Sequence, residues 1–177
     1  MTTILVSPLS QLPELVVRRR PGRVISLLDP DAPFPDLGPA YSDRHLRLAF
    51  HDTNTPAPDI ILPSAHHIAE LLGFLDRWDD GECLLVHCRA GISRSTATAF
   101  VAACRRNPRA SELEIARELR RVAPLARPNQ TVVKLADRAM GRGGRMSEAI
   151  AETGRGLTWI DIVEAEAFEL AADFEAS

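Results

Sequence analysis

"GECLLVHCRAGISRSTATAF", residues 81–100, is the stretch on which the reading of the chain turns. Residues 82–88 form a short continuous apolar run, which suits a central parallel strand covered on both faces. The run ends in His87 and Cys88, which are poor core-fillers, and passes at once into a tight segment of glycine, serine and arginine. A helix is expected from about Ser93 to Arg106. A strand that ends in a nucleophile and turns sharply into a helix is a layout for an oxyanion. The backbone N–H groups of Arg89, Ala90, Gly91, Ile92, Ser93 and Arg94 can line a nest around it. The helix N-terminus adds its positive end. Gly91 allows the turn where a Cβ would clash. The planar fork of Arg94 can grip two oxygens at once, which a lysine cannot do.

Cys88 lies at the floor of that ring. Such surroundings bring a thiol from about 8.5 down to roughly 3.5–7.5, where it is a thiolate at neutral pH. The hydroxyl of Ser95 can bond the sulfur and ease its departure in a second chemical step. His87 reads as structural support, its ring bonded to the loop backbone. Cys83 and Cys104 read as plain buried thiols. Cys83 lies about 16 Å from Cys88 along an extended strand, too far for a disulfide, and the spacing of the three cysteines matches no zinc pattern.

Outward from this segment, strands and helices alternate. "TILVS" (3–7), "RVISLL" (23–28) and "RHLRLAF" (44–50) read as strands. Ser10 is expected to cap a short helix running to Arg19. Residues 29–39 and 51–59 are proline-rich loops. Ser64 opens a helix with Ile68, Leu71, Leu72 and Leu75 on one face. Ser111 and Glu114 have the spacing of a capping box, and Asn129 is the expected N-cap of the next helix. "GRGG" (141–144) is a break. A last helix is expected from about Thr158 to Phe174, with Trp159, Val163, Ala167, Leu170 and Phe174 as its apolar stripe. This alternation predicts an α/β fold around a central, mostly parallel sheet flanked by helices, with an extra C-terminal helical segment. Ligands in such sheets sit at the carboxyl ends of the strands, where His87 and Cys88 lie.

The chain of 177 residues is 45% apolar, enough for one proper core. Two parts are expected: residues 1–140 as the catalytic domain, and 141–177 as a Gly-rich break with an acidic C-terminal extension. No run approaches the roughly 18 apolar residues of a membrane span, and the N-terminus lacks the features of a secretory signal. A cytoplasmic protein without membrane contact is expected. Net charge is −3, and twenty arginines stand against one lysine. This bias reads as codon usage in a GC-rich, bacterial genome. Aromatic interleaving of the kind single-strand binders use is absent, so no nucleic-acid partner is expected.

"HCRAGISRS" (87–95) resembles the HCxxGxxR[ST] motif of the cysteine-dependent protein tyrosine phosphatases at every fixed position. The flanking "LLVHCRAGISRSTATAF" is similar to the small dual-specificity branch, and the resemblance extends over residues 44–137 with "RPNQTVVKLAD" as a weaker match. It implies a dual-specificity-phosphatase-like fold and a metal-independent phosphomonoesterase with Cys88, Arg94, Asp52 and Ser95 as catalytic residues. Phosphate would lie on the loop from Arg89 to Arg94. The implied partner is a phosphorylated protein, carrying phosphotyrosine and possibly phosphoserine or phosphothreonine. No cofactor and no metal are implied, and a monomer is expected. The resemblance places the general acid just past the strand at 44–50, where Asp52 and Asp59 are the candidates. Asp52 is preferred, with Asp59 as the cap of a helix starting at Ile60. The loop lacks the two lysines typical of phosphoinositide 3-phosphatases. The alternative reading is a phosphoprotein-binding module that keeps the anion loop but turns over weakly.

Overall fold

The structure is a computed structural model that describes residues 2–157 and 163–176. Among the described residues, five strands and six helices follow in the order β1 (Thr3–Pro8), α1 (Leu12–Arg19), β2 (Arg23–Leu28), β3 (His45–Ala49), α2 (Ala65–Leu75), β4 (Cys83–Cys88), α3 (Arg94–Arg106), α4 (Glu112–Val122), α5 (Gln130–Ala139), α6 (Arg145–Glu152) and β5 (Phe168–Ala171). They build one sheet of order β3-β2-β4-β1-β5. The first four strands are parallel, and β5 runs antiparallel on the edge of β1. β4 therefore sits in the middle, between β2 and β1, as its unbroken apolar run requires.

Alternation along β4 divides the two faces. Leu84, Val86 and Cys88 join the large core under α2 to α6, together with Ile4, Val6, Ile25 and Leu27. Leu85 faces the other way, into a smaller cluster with Leu5, Leu12 and Val24 beneath α1. Helix α3 is buried from Arg94 to Cys104. Its Ala97, Ala99, Ala102 and Ala103 let the backbone run close against sheet and neighbouring helices, which larger side chains would prevent. Among the described residues no helix is long and apolar enough to cross a membrane.

Several local expectations need correction. The first helix starts at Leu12, after a single 3-10 turn at Leu9–Gln11. Pro13 fits the helix start, and the Ser10 hydroxyl donates to Glu164 (2.8 Å) in place of capping. Ser111 accepts from the Glu114 N–H, but the return half of the box does not form. Asp59 does not open a helix. It lies in a turn at φ 61°, and α2 begins only at Ala65, capped by Ser64. Helix α6 was not foreseen; the Asp137 carboxylate holds its first turn by accepting from the N–H groups of Gly144 and Met146, each at 2.7 Å.

The largest correction concerns the C-terminus. The stretch expected as the second half of a helix contains β5, and Val163 stands 86% exposed where a helical stripe would have buried it. The first half of that expectation, including Trp159, lies outside the described residues. Phe168, Leu170, Ala172 and Phe174 are apolar at every second position, which is the period of a strand. Leu170 and Ala172 are buried in the main core, with Phe168 and Phe174 packed against it. Pairing with the free edge of β1 satisfies backbone groups that a docked helix would leave open.

Candidate active site

The carboxyl ends of β1, β2 and β4 converge on the loop from Cys88 to Arg94. Four of its carbonyl oxygens are bonded outward, to three different segments. The Arg89 oxygen accepts from the Leu9 N–H (3.1 Å) and the Ala90 oxygen from the Ala165 N–H (2.8 Å). The Ile92 oxygen accepts from the Arg127 N–H (2.9 Å) and the Ser93 oxygen from the Asn129 N–H (3.3 Å). Thr96 Oγ1 also donates to the Ile92 oxygen, at 2.6 Å. In a trans peptide the next N–H points opposite to its carbonyl. Tying these oxygens outside leaves the N–H groups of Ala90, Gly91, Ser93 and Arg94 on the inner side of the loop. Gly91 sits at φ 72°, and a Cβ there would come within 2.9 Å of the Pro8 nitrogen and 3.1 Å of the Ser7 carbonyl carbon. Glycine is needed twice over, for the dihedral and for the close approach of β1.

Cys88 is buried, and its Sγ lies 3.1 Å from Ser95 Oγ at the start of α3. Arg94 is 3% exposed. Its Nη1 donates to Asp29 Oδ1 (2.8 Å) and to the Phe50 carbonyl (2.7 Å). Its Nε is buried without a hydrogen-bond partner. A guanidinium N–H buried in that way costs on the order of 1–3 kcal/mol until it meets an acceptor. One end of the fork is thus anchored by protein, and its Nε has only the Asp52 carboxylate near it, beyond hydrogen-bond reach.

Asp52 lies on the opposite wall. Its Oδ1 accepts from Ser93 Oγ (2.7 Å) and from Asn129 Nδ2 (3.1 Å). Its Oδ2 is 3.8 Å from Arg94 Nε. With Oδ1 occupied by two donors, Oδ2 is the oxygen left facing the arginine. Asn129 both caps α5 through its Oδ1 and holds Asp52 through its Nδ2. Among the described residues the Asp59 carboxylate makes no hydrogen bond or ion pair with this loop. Asp52, Cys88, Arg94 and Ser95 are therefore brought together, and Asp59 is not.

His87 is fully buried on the face opposite Cys88. Its Nδ1 lies 3.4 Å from the Cys88 carbonyl, and its Nε2 lies 2.5 Å from Ser26 Oγ on β2. Burial holds the ring down at about 4. Cys104 is buried on α3 and Cys83 is half-buried on β4, and desolvation pushes both thiols up. Both are thereby kept as inert thiols at neutral pH.

Two residues of this site were invisible in sequence. Asp29 follows β2, and nothing in the chain says that β2 is the neighbour of β4. Asn129 was legible as a helix cap only. The one available clue for Asp29 was its place after a strand, where ligands collect in parallel sheets.

Neither a protein-family model nor a curated protein matches the sequence. Solved structures do match. DUSP15 is 20% identical with a TM-score of 0.56, over 85% of this chain and 96% of its own. The Yvh1 phosphatase domain from Chaetomium thermophilum is 19% identical, TM-score 0.57, over 81% and 93%. The human tyrosine phosphatase-like serine/threonine/tyrosine-interacting protein is 18% identical, TM-score 0.58, over 80% and 97%. At these identities the likeness speaks for architecture. The strand order, the buried helix after β4 and this likeness together give the chain the α/β fold of the dual-specificity-phosphatase-like proteins.

Proposed function

We propose that the protein is a cysteine-dependent phosphatase acting on phosphorylated protein, with phosphotyrosine as substrate and phosphoserine or phosphothreonine where the side chain reaches the loop. The observation that carries this reading is the buried Nε of Arg94, which has no hydrogen-bond acceptor, in a loop whose carbonyls are bonded outward around Cys88. Phosphate oxygens would take the N–H groups of Arg89 to Arg94 and the free edge of the guanidinium. Cys88 Sγ attacks phosphorus, the bond from phosphorus to the ester oxygen breaks, and Asp52 gives its Oδ2 proton to that oxygen. Water then attacks the phosphocysteine, Asp52 takes a proton from it, and the sulfur leaves as a thiolate stabilised by the Ser95 hydroxyl. Residues 1–140 carry all of these groups, and 141–177 act as an accessory segment. A monomer suffices for this chemistry, with no cofactor.

The test is hydrolysis of p-nitrophenyl phosphate in the presence of a chelator. Wild type should turn over, and Cys88→Ser should lose all measurable turnover while still binding tungstate, because the nest and Arg94 are untouched. Equal rates in the two proteins would overturn the nucleophile. Tungstate and phosphopeptide binding by wild type without any turnover would instead favour a phosphoprotein-binding module.

A further inference from the structure

Behind the nucleophile, three polar side chains cross the buried sheet in a line. Ser26 on β2 is paired directly with His87 on β4, so their side chains lie side by side on the α1 face. Ser26 Oγ is 2.5 Å from His87 Nε2 and 2.7 Å from His45 Nε2, on β3. His87 Nδ1 in turn faces the Cys88 carbonyl at 3.4 Å. His45 Nδ1 is buried with no partner. A serine hydroxyl holds a single proton, so it can donate to only one of the two rings.

The two ways of placing the protons are not equivalent. If Ser26 donated to His45, His87 would carry its proton on Nε2. Its bare Nδ1 would then face a carbonyl lone pair, and the His45 N–H at Nδ1 would be buried unsatisfied. If His45 donates from Nε2 to Ser26, Ser26 donates to His87 Nε2, and the His87 proton sits on Nδ1, where it bonds the Cys88 carbonyl. That arrangement leaves one bare acceptor at His45 Nδ1 and nothing worse, so it wins. Both rings are held near 4 by burial, with the charges of Arg47 on the His45 side and Arg94 on the His87 side adding to it, so each is neutral at pH 7.

Resting on the reading of Cys88 as nucleophile, we infer that Ser26 and His45 are positioning residues for the reaction, fixing the His87 tautomer that holds the Cys88 carbonyl outward. The Cys88 carbonyl and the Arg89 N–H belong to one peptide plane and point in opposite directions. Holding the oxygen back against His87 therefore aims the Arg89 N–H into the anion nest. This adds to the outward set: the carbonyls of Arg89, Ala90, Ile92 and Ser93 are held by main-chain donors, and that of Cys88 by a side-chain relay that starts two strands away.

The test is ¹⁵N NMR of histidine-labelled protein with activity measured beside it. In wild type, His87 should show the Nδ1–H form and His45 the Nε2–H form. His45→Leu and Ser26→Ala should turn His87 into a tautomer mixture and weaken tungstate binding and kcat by about tenfold, less than the ~100-fold of a deleted oxyanion donor. Ser26→Thr and His45→Gln, which keep the hydroxyl and an N–H at the same place, should restore both. A wild-type His87 protonated on Nε2, or a His87 tautomer unchanged in His45→Leu and Ser26→Ala, overturns the relay. Since the tautomer and tungstate arms need no turnover, an inactive wild type would count against the phosphatase reading alone.

Discussion

Asp52 and Arg94 show how much depends on single atoms. Ser93 and Asn129 both donate to Asp52 Oδ1, which leaves Oδ2 facing the arginine, and Asp29 with the Phe50 carbonyl pins Arg94 Nη1, which leaves Nε without a hydrogen-bond acceptor. If Asp52 is the proton donor, its removal matters in proportion to how badly the leaving oxygen needs a proton. Asp52→Asn should slow hydrolysis of alkyl phosphates by roughly 10²–10⁴-fold and of activated aryl phosphates by far less. A series of leaving groups of graded acidity checks this, with Asp59→Asn as control; that variant should behave as wild type, and a reversed pattern would exchange the two roles. Cys88, Arg94 and Ser95 were legible because the loop carries them at fixed spacing within nine residues. Asp29, Ser26 and His45 were not, because their proximity to the loop is created by strand order, which local sequence does not encode.

At the scale of elements, the strand–loop–helix unit of β4 and α3 was readable and the C-terminal strand was not, for opposite physical reasons. β4 is buried on both faces, so its composition alone marks it, and Gly91 interrupts the pattern where only glycine fits. β5 is an edge strand of four residues with one fully buried side chain, Leu170. Its apolar spacing satisfies a helix and a strand alike, and the free edge of β1 decides between them. The loop itself offers a sharper element-level test. Gly91→Ala places a Cβ 2.9 Å from the Pro8 nitrogen in a conformation that L residues avoid. The dihedral alone costs about 1–2 kcal/mol, and relief of the contact must shift either β1 or the loop. A drop in melting temperature of several degrees is expected, together with loss of tungstate binding greater than that drop in stability would explain. Calorimetry and tungstate titration of the variant check both; an unchanged affinity would mean that the loop keeps its shape without the close approach to β1.

For the whole molecule the open issue is what residues 141–177 contribute. A docked structural segment and a cover that limits substrate access would give opposite results for truncation after Gly144. The segment supplies Met146, Ala149, Leu170 and Ala172 to the main core. It closes the β1 edge, and its Ala165 N–H holds the Ala90 carbonyl of the loop. Its acids also reach back to basic side chains: Glu169 pairs with Arg19, and Asp173 with Arg106 at 2.7 Å. Each of these ion pairs has a solvent-exposed carboxylate and contributes little. Burial dominates, at roughly 1.5–3 kcal/mol for each of Leu170 and Met146, with further smaller amounts from Phe168 and Phe174. Their sum is of the same order as the whole 5–15 kcal/mol that keeps a domain folded. The truncated chain should therefore lose cooperative unfolding and collect as aggregate through the bared β1 edge. Circular dichroism melts and size-exclusion chromatography of the two chain lengths read this directly. A truncated chain that melts cooperatively and hydrolyses bulky phosphopeptides faster than the full chain would show that the segment acts as a cover, and that the core from β1 to α5 stands without it.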